Sequence, residues 1–473
     1  MLPGDLTAAE RRITTAHPHG EWVDLAGAHL RAEVIAGLLL NTQRPPAAVM
    51  PAVRLRAAQI TGTLDLSFAD ITVPLHFDDC RFDQAPILTG ASTRTVQLTG
   101  CTLPGLEARL LAVRGDLRLN SSTVTGLLTL ENAAVTGTLS LSASRLSNPG
   151  GRALSGGGLV LGGGLFGRRG LSVEGEARLI GARIDGGILL EGATFSTPGG
   201  VALCLDEVVT NRLACSEGFS TDGEFKLRNA QVTGEFNLWG AHLRGPDRAV
   251  RARGLRAGEL SLNPASVEGM VDLTRVQVGA LRDRSDAWPA QLRLDGFSYD
   301  HLLPVGEAID VRARCSWLTR DADAYRPQPY EQLAAYYRRL GHDDDARRVL
   351  LAKERRRRAT LHPVRRAGGY LLDALVGYGY RPWLAGVWLV VLVAIGTAVF
   401  GARHPVPIDP AHRPHFSALV YTVDLLIPIG AFGLRSAYDP VGATQWIADG
   451  LIAAGWILAT ALVAGVSRSL GRD

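Results

Sequence analysis

The sequence predicts a mainly β protein. A parallel β-helix, a solenoid of 11-residue half-coils, is followed by a short helical hairpin and a two-helix α transmembrane domain with a re-entrant segment. Three observations predict it. Apolar residues recur every eleven positions between about residues 53 and 299. Nine basic residues stand against one acid between residues 347 and 366. Two uncharged stretches of 18 residues, 384–401 and 450–467, lie beyond that block.

The bulk numbers agree with several domains in a reducing compartment. A chain of 473 residues has room for two or three domains, and a net charge of +4 is too small for a nucleic-acid binder of this size. The 54 glycines point to repeated tight turns rather than to a helical protein. Five cysteines, an odd number without a CxxC pair, argue against a disulfide framework. The first 22 residues carry charges and no apolar core, so they do not read as a secretory signal, and most of the chain is expected in the cytoplasm.

Residues 1–50, with the helical pattern LTAAERRI, are the expected N-terminal cap, and residues 51–320 the β-helix, with about 300–320 as its second cap. The repeat is clearest where Val113, Val124, Val135 and Leu146 follow one another at steps of eleven. Gly115, Gly126 and Gly137 keep the same step, as do the pairs Leu117/Leu119, Leu128/Leu130 and Leu139/Leu141. The Leu-x-Leu alternation has the period of a half-buried strand. Each glycine is expected to turn a corner with positive φ. A single unit has no partner for its apolar side chains, whereas stacked units form a continuous core. Two units per coil give 22 residues, about eleven coils and a stack roughly 50 Å long. The small residues Ala69, Cys80, Ser122, Ala133, Ser144, Ala182, Ala193, Ala230, Ala241 and Ala265 are expected to pack inward at corners, Cys80 as a stacking residue without reactivity.

Within the repeats no catalytic, cofactor-binding or metal-binding residue is expected. The run from Gly162 to Gly167 formally matches G-x-G-x-x-G, but strand-like units flank it and no helix follows, so a glycine-rich loop bulging from one coil is expected. Asp65, His76, Asp78, Asp79, Asp116, Asp185, Asp222, His242 and Asp272 mostly occupy the outward half of the alternation and read as a solvated face.

Residues 321–366 form the expected helical stalk. Tyr330, Leu333, Ala334 and Tyr337 fall at helical spacing, Gly341 ends that helix, and Asp343, Asp344 and Asp345 start a second. The pair resembles a tetratricopeptide-style hairpin. Beside a membrane span, Arg355, Arg356, Arg357, Arg358, Arg365 and Arg366 are expected to contact anionic lipid headgroups rather than nucleic acid.

Residues 367–473 are the expected membrane domain. Each uncharged stretch is long enough to cross a hydrocarbon core of about 30 Å. Positive flanks on both, with Arg468 and Arg472 after the second, place both termini in the cytoplasm and the chain in the cell membrane. His404, Asp409, His412 and His415 lack regular ligand spacing, and no metal is expected. Between the spans, residues 416–434 are apolar, but Asp424 sits in the middle and Pro428 breaks a helix, so the segment is expected to dip in and return. Span, "FSALVYTVDLLIPIGAFG", span resembles the two-span pore module of the potassium-channel superfamily. The resemblance places Phe416, Ala418, Leu419, Tyr421 and Thr422 on a pore helix and residues 427–433 at the filter. It makes Tyr421, Thr422, Asp424, Pro428, Gly430 and Gly433 candidate pore residues and implies ions and a homo-oligomer, commonly of four subunits. The segment departs from that family in lacking Thr-Val-Gly-Tyr-Gly. The triplet Gly377-Tyr378-Gly379 precedes the first span and reads as an interfacial turn. The layout as a whole resembles an actinobacterial family of membrane proteins, some labelled oxidoreductase, although none of the residues carries a redox motif.

Three functions follow as expectations. The first is a non-enzymatic membrane-anchored scaffold or sensor whose solenoid surface binds a protein partner. The alternatives are a homo-oligomeric ion channel gated by the solenoid and a membrane-associated oxidoreductase.

Overall fold

The computed structural model describes residues 5–40, 51–323, 325–380, 383–409, 415–427, 429 and 432–470; the side chains of residues 461–470 and several in 364–376 lie outside the description. The chain divides into two units, Met1–Gln332 and Leu333–Asp473.

The first unit is a parallel β-solenoid of about 11 turns. In its middle each eleven-residue repeat folds as two two-residue strands. Ala112–Val113, Leu117–Arg118, Thr123–Val124 and Leu128–Thr129 therefore make one four-sided coil. Coils stack in register, with Leu117 beside Leu139, Leu106 beside Leu128 and Val124 beside Leu146. Like therefore packs on like, and Val113, Leu117, Leu119, Val124, Leu128 and Leu130 are all buried. The expected coil of two repeats is present.

The glycines do something other than turn corners. The left-handed corner falls on Leu110, Ser121, Asn132 and Ala143, with φ of 52–59° and again a step of eleven. Gly126 and Gly137 instead lie flat against the coil below. A Cβ would stand 2.3 Å from the Pro104 carbonyl oxygen at Gly126 and 2.7 Å from that of Gly115 at Gly137. Close backbone approach, not positive φ, excludes side chains there.

The small residue after each left-handed corner does turn inward. The Ser122 hydroxyl donates to the Leu98 carbonyl at 2.6 Å and accepts from the Cys101 N–H at 2.9 Å. Cys101 and Cys80 hold the same place one and two coils earlier, both buried, with Cys101 Sγ 3.4 Å from the Phe77 carbonyl oxygen. Ala265 departs from the pattern and is exposed.

A longer period overlies the first. The strands Arg145–Ser155, Thr194–Cys204 and His242–Arg251 begin 49 and 48 residues apart, and each bows outward around a proline, Pro149, Pro198 or Pro246. The register with the neighbouring coil shifts at each of them. Outward side chains tie coil to coil by ion pairs, among them Arg145–Glu174 at 2.6 Å, Arg168–Glu191 at 2.9 Å and Arg244–Glu268 at 2.9 Å. Exposed pairs of this kind contribute less than about 1 kcal/mol each.

Both ends of the stack are covered, as an open sheet edge requires. Stacking begins earlier than residue 51: Trp22–Asp24 pairs with Val53–Arg56, and His29–Arg31 with Gln59–Thr61. Helices α1 (Ala8–Ala16) and α2 (Ala32–Leu40) supply the N-terminal cover; residues 41–50 of the expected cap lie outside the described residues. Thr7 and Glu10 form a capping box on α1, and Glu10 also receives Arg31 Nε at 2.7 Å. The Arg31 guanidinium holds the Glu10 carboxyl down to about 2. At the other end α3 (Val311–Leu318) carries Arg314 and Trp317 inward. Arg314 Nη2 donates to Asp283 Oδ1 at 2.8 Å, Trp288 Nε1 donates to Asp283 Oδ2 at 2.8 Å, and all four side chains are buried. Helix α4 (Pro327–Arg339) adds Gln328 and Gln332, whose amides donate to the Phe297 and Tyr299 carbonyls of the last coil at 3.0 and 2.7 Å.

The second unit is helical. The division falls inside α4, and Gly341 (φ 76°) separates that helix from α5 (Asp343–Ala359), so two consecutive helices stand where the sequence predicts them. Helix α6 (Pro363–Val376) leads into the 3-10 turn Gly377–Gly379, then α7 (Trp383–Ala402). A short antiparallel pair, Val406–Pro407 with Tyr438–Asp439, frames α8 (Ala418–Leu426); α9 (Ala443–Leu470) completes the unit. Of the two predicted spans, one is matched. Among the described residues only α7, with a mean hydropathy of 2.3, is long and apolar enough to cross a membrane. The stretch 450–467 lies within the 28-residue α9, whose described portion includes Asp449.

Candidate functional site

The pore residues suggested by the sequence converge on α8. Tyr421, Thr422 and Asp424 point into the unit and are fully buried. Tyr421 stacks edge-on against Phe400 of α7 at 5.0 Å between ring centres. The Thr422 hydroxyl donates to the Ala418 carbonyl at 2.8 Å, and its methyl lies where Gly396 of α7 leaves room for it.

Asp424 is a loop anchor. Its Oδ1 accepts from the Phe432 N–H at 3.0 Å and its Oδ2 from the Arg435 N–H at 2.8 Å, so the carboxylate fixes the turn after α8. A buried carboxylate is tolerated only with such partners. Gly433 lies in that turn with φ 74°; Pro428 and Gly430 lie outside the described residues. Within one chain neither Thr422 nor Asp424 presents an exposed oxygen.

Outside this core α7 is bare. Trp383, Val390 and Ile395 are 64, 69 and 50% exposed. Beside them an apolar cavity of about 550 Å³ is lined by Leu389, Val390, Val393, Ala394, Thr397 and Leu419.

The arginines expected at lipid headgroups are partly engaged by a residue that the sequence reading passed over. Asp373 of α6 receives Arg355 Nε and Nη2, both at 3.0 Å, and Arg358 Nη1 at 3.0 Å. Arg358 also lies 3.9 Å from the Tyr370 ring centre. Burial opposes ionisation of Asp373, but the two guanidiniums outweigh it and hold the carboxyl below the usual range. Arg357 approaches Glu354 at 3.7 Å, Arg366 donates to the Ala359 carbonyl at 2.7 Å, and Arg365 is exposed. The only signal for Asp373 was an acid in an otherwise apolar turn of α6.

The glycine run of the solenoid is a stacking feature. Val160–Leu161 and Leu165–Phe166 pair with both neighbouring coils, so no loop bulges there. At Gly163 a Cβ would come within 2.6 Å of the Gly137 carbonyl oxygen. A shallow cleft of about 350 Å³ nearby is bordered by Glu131, Arg152, Ser155 and Arg178, with Arg152 tied to Glu176 and Ser155 to Glu131. Among the described residues no three His, Cys, Asp or Glu side chains gather as metal ligands; His412 lies outside them. Comparison of the chain with protein families, curated proteins and solved structures finds no match.

Proposed function

We propose that the protein is a membrane-anchored scaffold: a non-catalytic β-solenoid that binds a protein partner and is held at the cell membrane by its helical unit. The observation that carries this reading is the surface of α7. Only 17% of its most apolar window is buried, and a helix apolar all round with that little cover has lipid as its natural solvent. The second stretch, 450–467, would return the chain to the same side, and the basic residues flanking both stretches favour cytoplasmic termini. The solenoid contributes a long, regular, ion-paired exterior suited to recognition rather than to chemistry.

A protease site inserted after Gly341 tests this. In isolated membranes, cleavage is expected to release residues 1–341 while the fragment with α7 resists alkaline extraction. Uncleaved chain recovered in the soluble fraction of broken cells would overturn the anchor.

A second reading, a homo-oligomeric channel gated by the solenoid, is favoured by the nine-residue α8 buried beside α7 and α9, with Asp424 bracing the turn that follows. Purified protein in a planar bilayer decides between them. Unitary currents altered by Asp424→Ala support a channel, and silence supports the scaffold.

A further inference from the structure

One corner of the solenoid places large apolar side chains where backbone and solvent both disfavour them. Phe68 (φ 57°) and Leu110 (φ 55°) occupy the left-handed corner, the place that Gly90 and Asn132 hold on the coils between and after them. Left-handed backbone suits Gly, Asn and Asp, whereas a bulky side chain crowds the adjoining carbonyl. Both residues are nonetheless well exposed, at 78 and 57%. The Phe68 ring lies across Gly90, where an added Cβ would come within 2.5 Å of it.

The apolar surface continues past the corner. Ala112, Ala134 and Val160 are in-register neighbours on successive coils, all exposed. Along their edge run Arg94 and Arg114. The Arg114 N–H donates to the Thr93 carbonyl, so the two arginines stand on adjacent coils, and both are exposed without a carboxylate partner among the described residues. Of the acids around them, three are engaged, while Asp70, on the coil of Phe68, and Glu107, on the coil of Leu110, are exposed. Asp116 takes Arg118 at 2.6 Å, Glu131 takes Arg109 at 3.6 Å, Asp65 takes the Ser67 hydroxyl, and Asp70 stands at the foot of the strip beneath Ser92. Like charges side by side on paired strands are unfavourable, and elsewhere an arginine such as Arg145 faces a glutamate one coil away.

We infer that this corner docks an acidic amphipathic helix of a partner protein, its apolar face on Phe68, Leu110, Ala112 and Val160 and its acidic flank on Arg94 and Arg114. The inference rests on the scaffold reading and names the chemistry of its partner. Phe68 and Leu110 are two coils apart, about 9.6 Å, close to the roughly 10.8 Å of two helical turns, so anchors seven residues apart reach both. Two arginines fall short of the four to eight basic residues that mark a bilayer-binding patch, which favours a protein over a lipid surface.

The test uses the full chain in detergent and two labelled 18-residue helical peptides. Both carry leucines at i, i+3, i+4 and i+7; one has glutamates along the flank and the other lysines. The glutamate peptide is expected to bind at least about tenfold more tightly, about 1.4 kcal/mol, through its complementary charge. Phe68→Asn with Leu110→Asn should weaken it about tenfold or more while leaving the melting temperature unchanged or higher, because asparagine tolerates this backbone. Arg94→Glu with Arg114→Glu should reverse the preference between peptides. Binding of neither peptide, equal binding of both, or indifference to the asparagine pair would overturn the proposal. So would loss in the asparagine variant of vesicle binding or of self-association, which would assign the corner to anionic lipid or to a second copy. Because none of these readouts depends on α7, their failure leaves the membrane anchor standing, and release of the chain from membranes leaves the docking result standing.

Discussion

The two units solve the same problem, satisfying buried backbone and covering apolar surface, by opposite means. In residues 1–332 each coil is completed by a similar neighbour, so hydrogen bonds, leucine layers and many of the ion pairs point along the stack. In residues 333–473 the helices satisfy their own backbone and leave apolar surface outward on α7. Charge follows the division. The first unit has 33 basic and 36 acidic residues, close to balance, while the second has 17 basic against 10 acidic. A repeated unit supplies its own partner, whereas on the proposed membrane reading the helical unit takes lipid as one, and its positive charge would suit an anionic surface.

The largest effect expected is at the C-terminal cap of the stack. Asp283→Ala leaves Arg314 buried without its carboxylate and should lower the free energy of unfolding by about 3–5 kcal/mol, read by denaturant titration. Asp283→Leu with Arg314→Met should recover most of the loss; failure to recover would mean that the cap depends on charge rather than on filling space.

A charge on the bare face of α7 comes next. Val390→Asp lies near the middle of the helix and should cost about 2.5–3.5 kcal/mol of membrane insertion, seen as chain released by alkaline extraction. Unchanged retention would break the contrast between the units.

Gly126→Ala, which drives a methyl onto the Pro104 carbonyl, should cost about 1–3 kcal/mol in the same titration. Indifference there would mean that the coils are more loosely stacked than the register implies.

The smallest effect is electrostatic. Because the Glu10 carboxyl is depressed to about 2, its contribution is present above the ordinary value of 4.5 and is lost as pH falls through about 2. Arg31 is partly exposed, so Glu10→Gln should cost only about 1 kcal/mol at neutral pH, with the two proteins converging near pH 2 in an acid titration followed by circular dichroism.

The eleven-residue step was legible because register forces identical environments onto residues such as Leu117, Leu128 and Leu139. The break between α4 and α5 was legible from Gly341 and the three aspartates after it. The corner was misassigned because glycine marks both positive φ and close approach, and only coordinates separate Gly126 from Leu110. The 49-residue period was written in Pro149, Pro198 and Pro246 but was masked by the stronger short one. Arg314 with Asp283, and Asp373 with Arg355 and Arg358, join residues with no shared periodicity, so nothing in the sequence pairs them. The α8 segment lies between the two long helices, and the role of Asp424 as an anchor for backbone N–H groups depends on a turn that no pattern announces.

Everything in the comparison depends on coils stacked in register two repeats apart. Oxidative cross-linking of Ala112→Cys with Ala134→Cys, both exposed Cα partners on adjacent coils, tests that directly. Parallel neighbours about 4.8 Å apart lie within disulfide reach, whereas Ala112→Cys with Thr136→Cys, two residues out of register, lies beyond it at roughly 8 Å. Rapid bonding of the first pair and none of the second is the predicted result. Equal bonding of both pairs, or bonding of the second alone, would contradict the stacked solenoid.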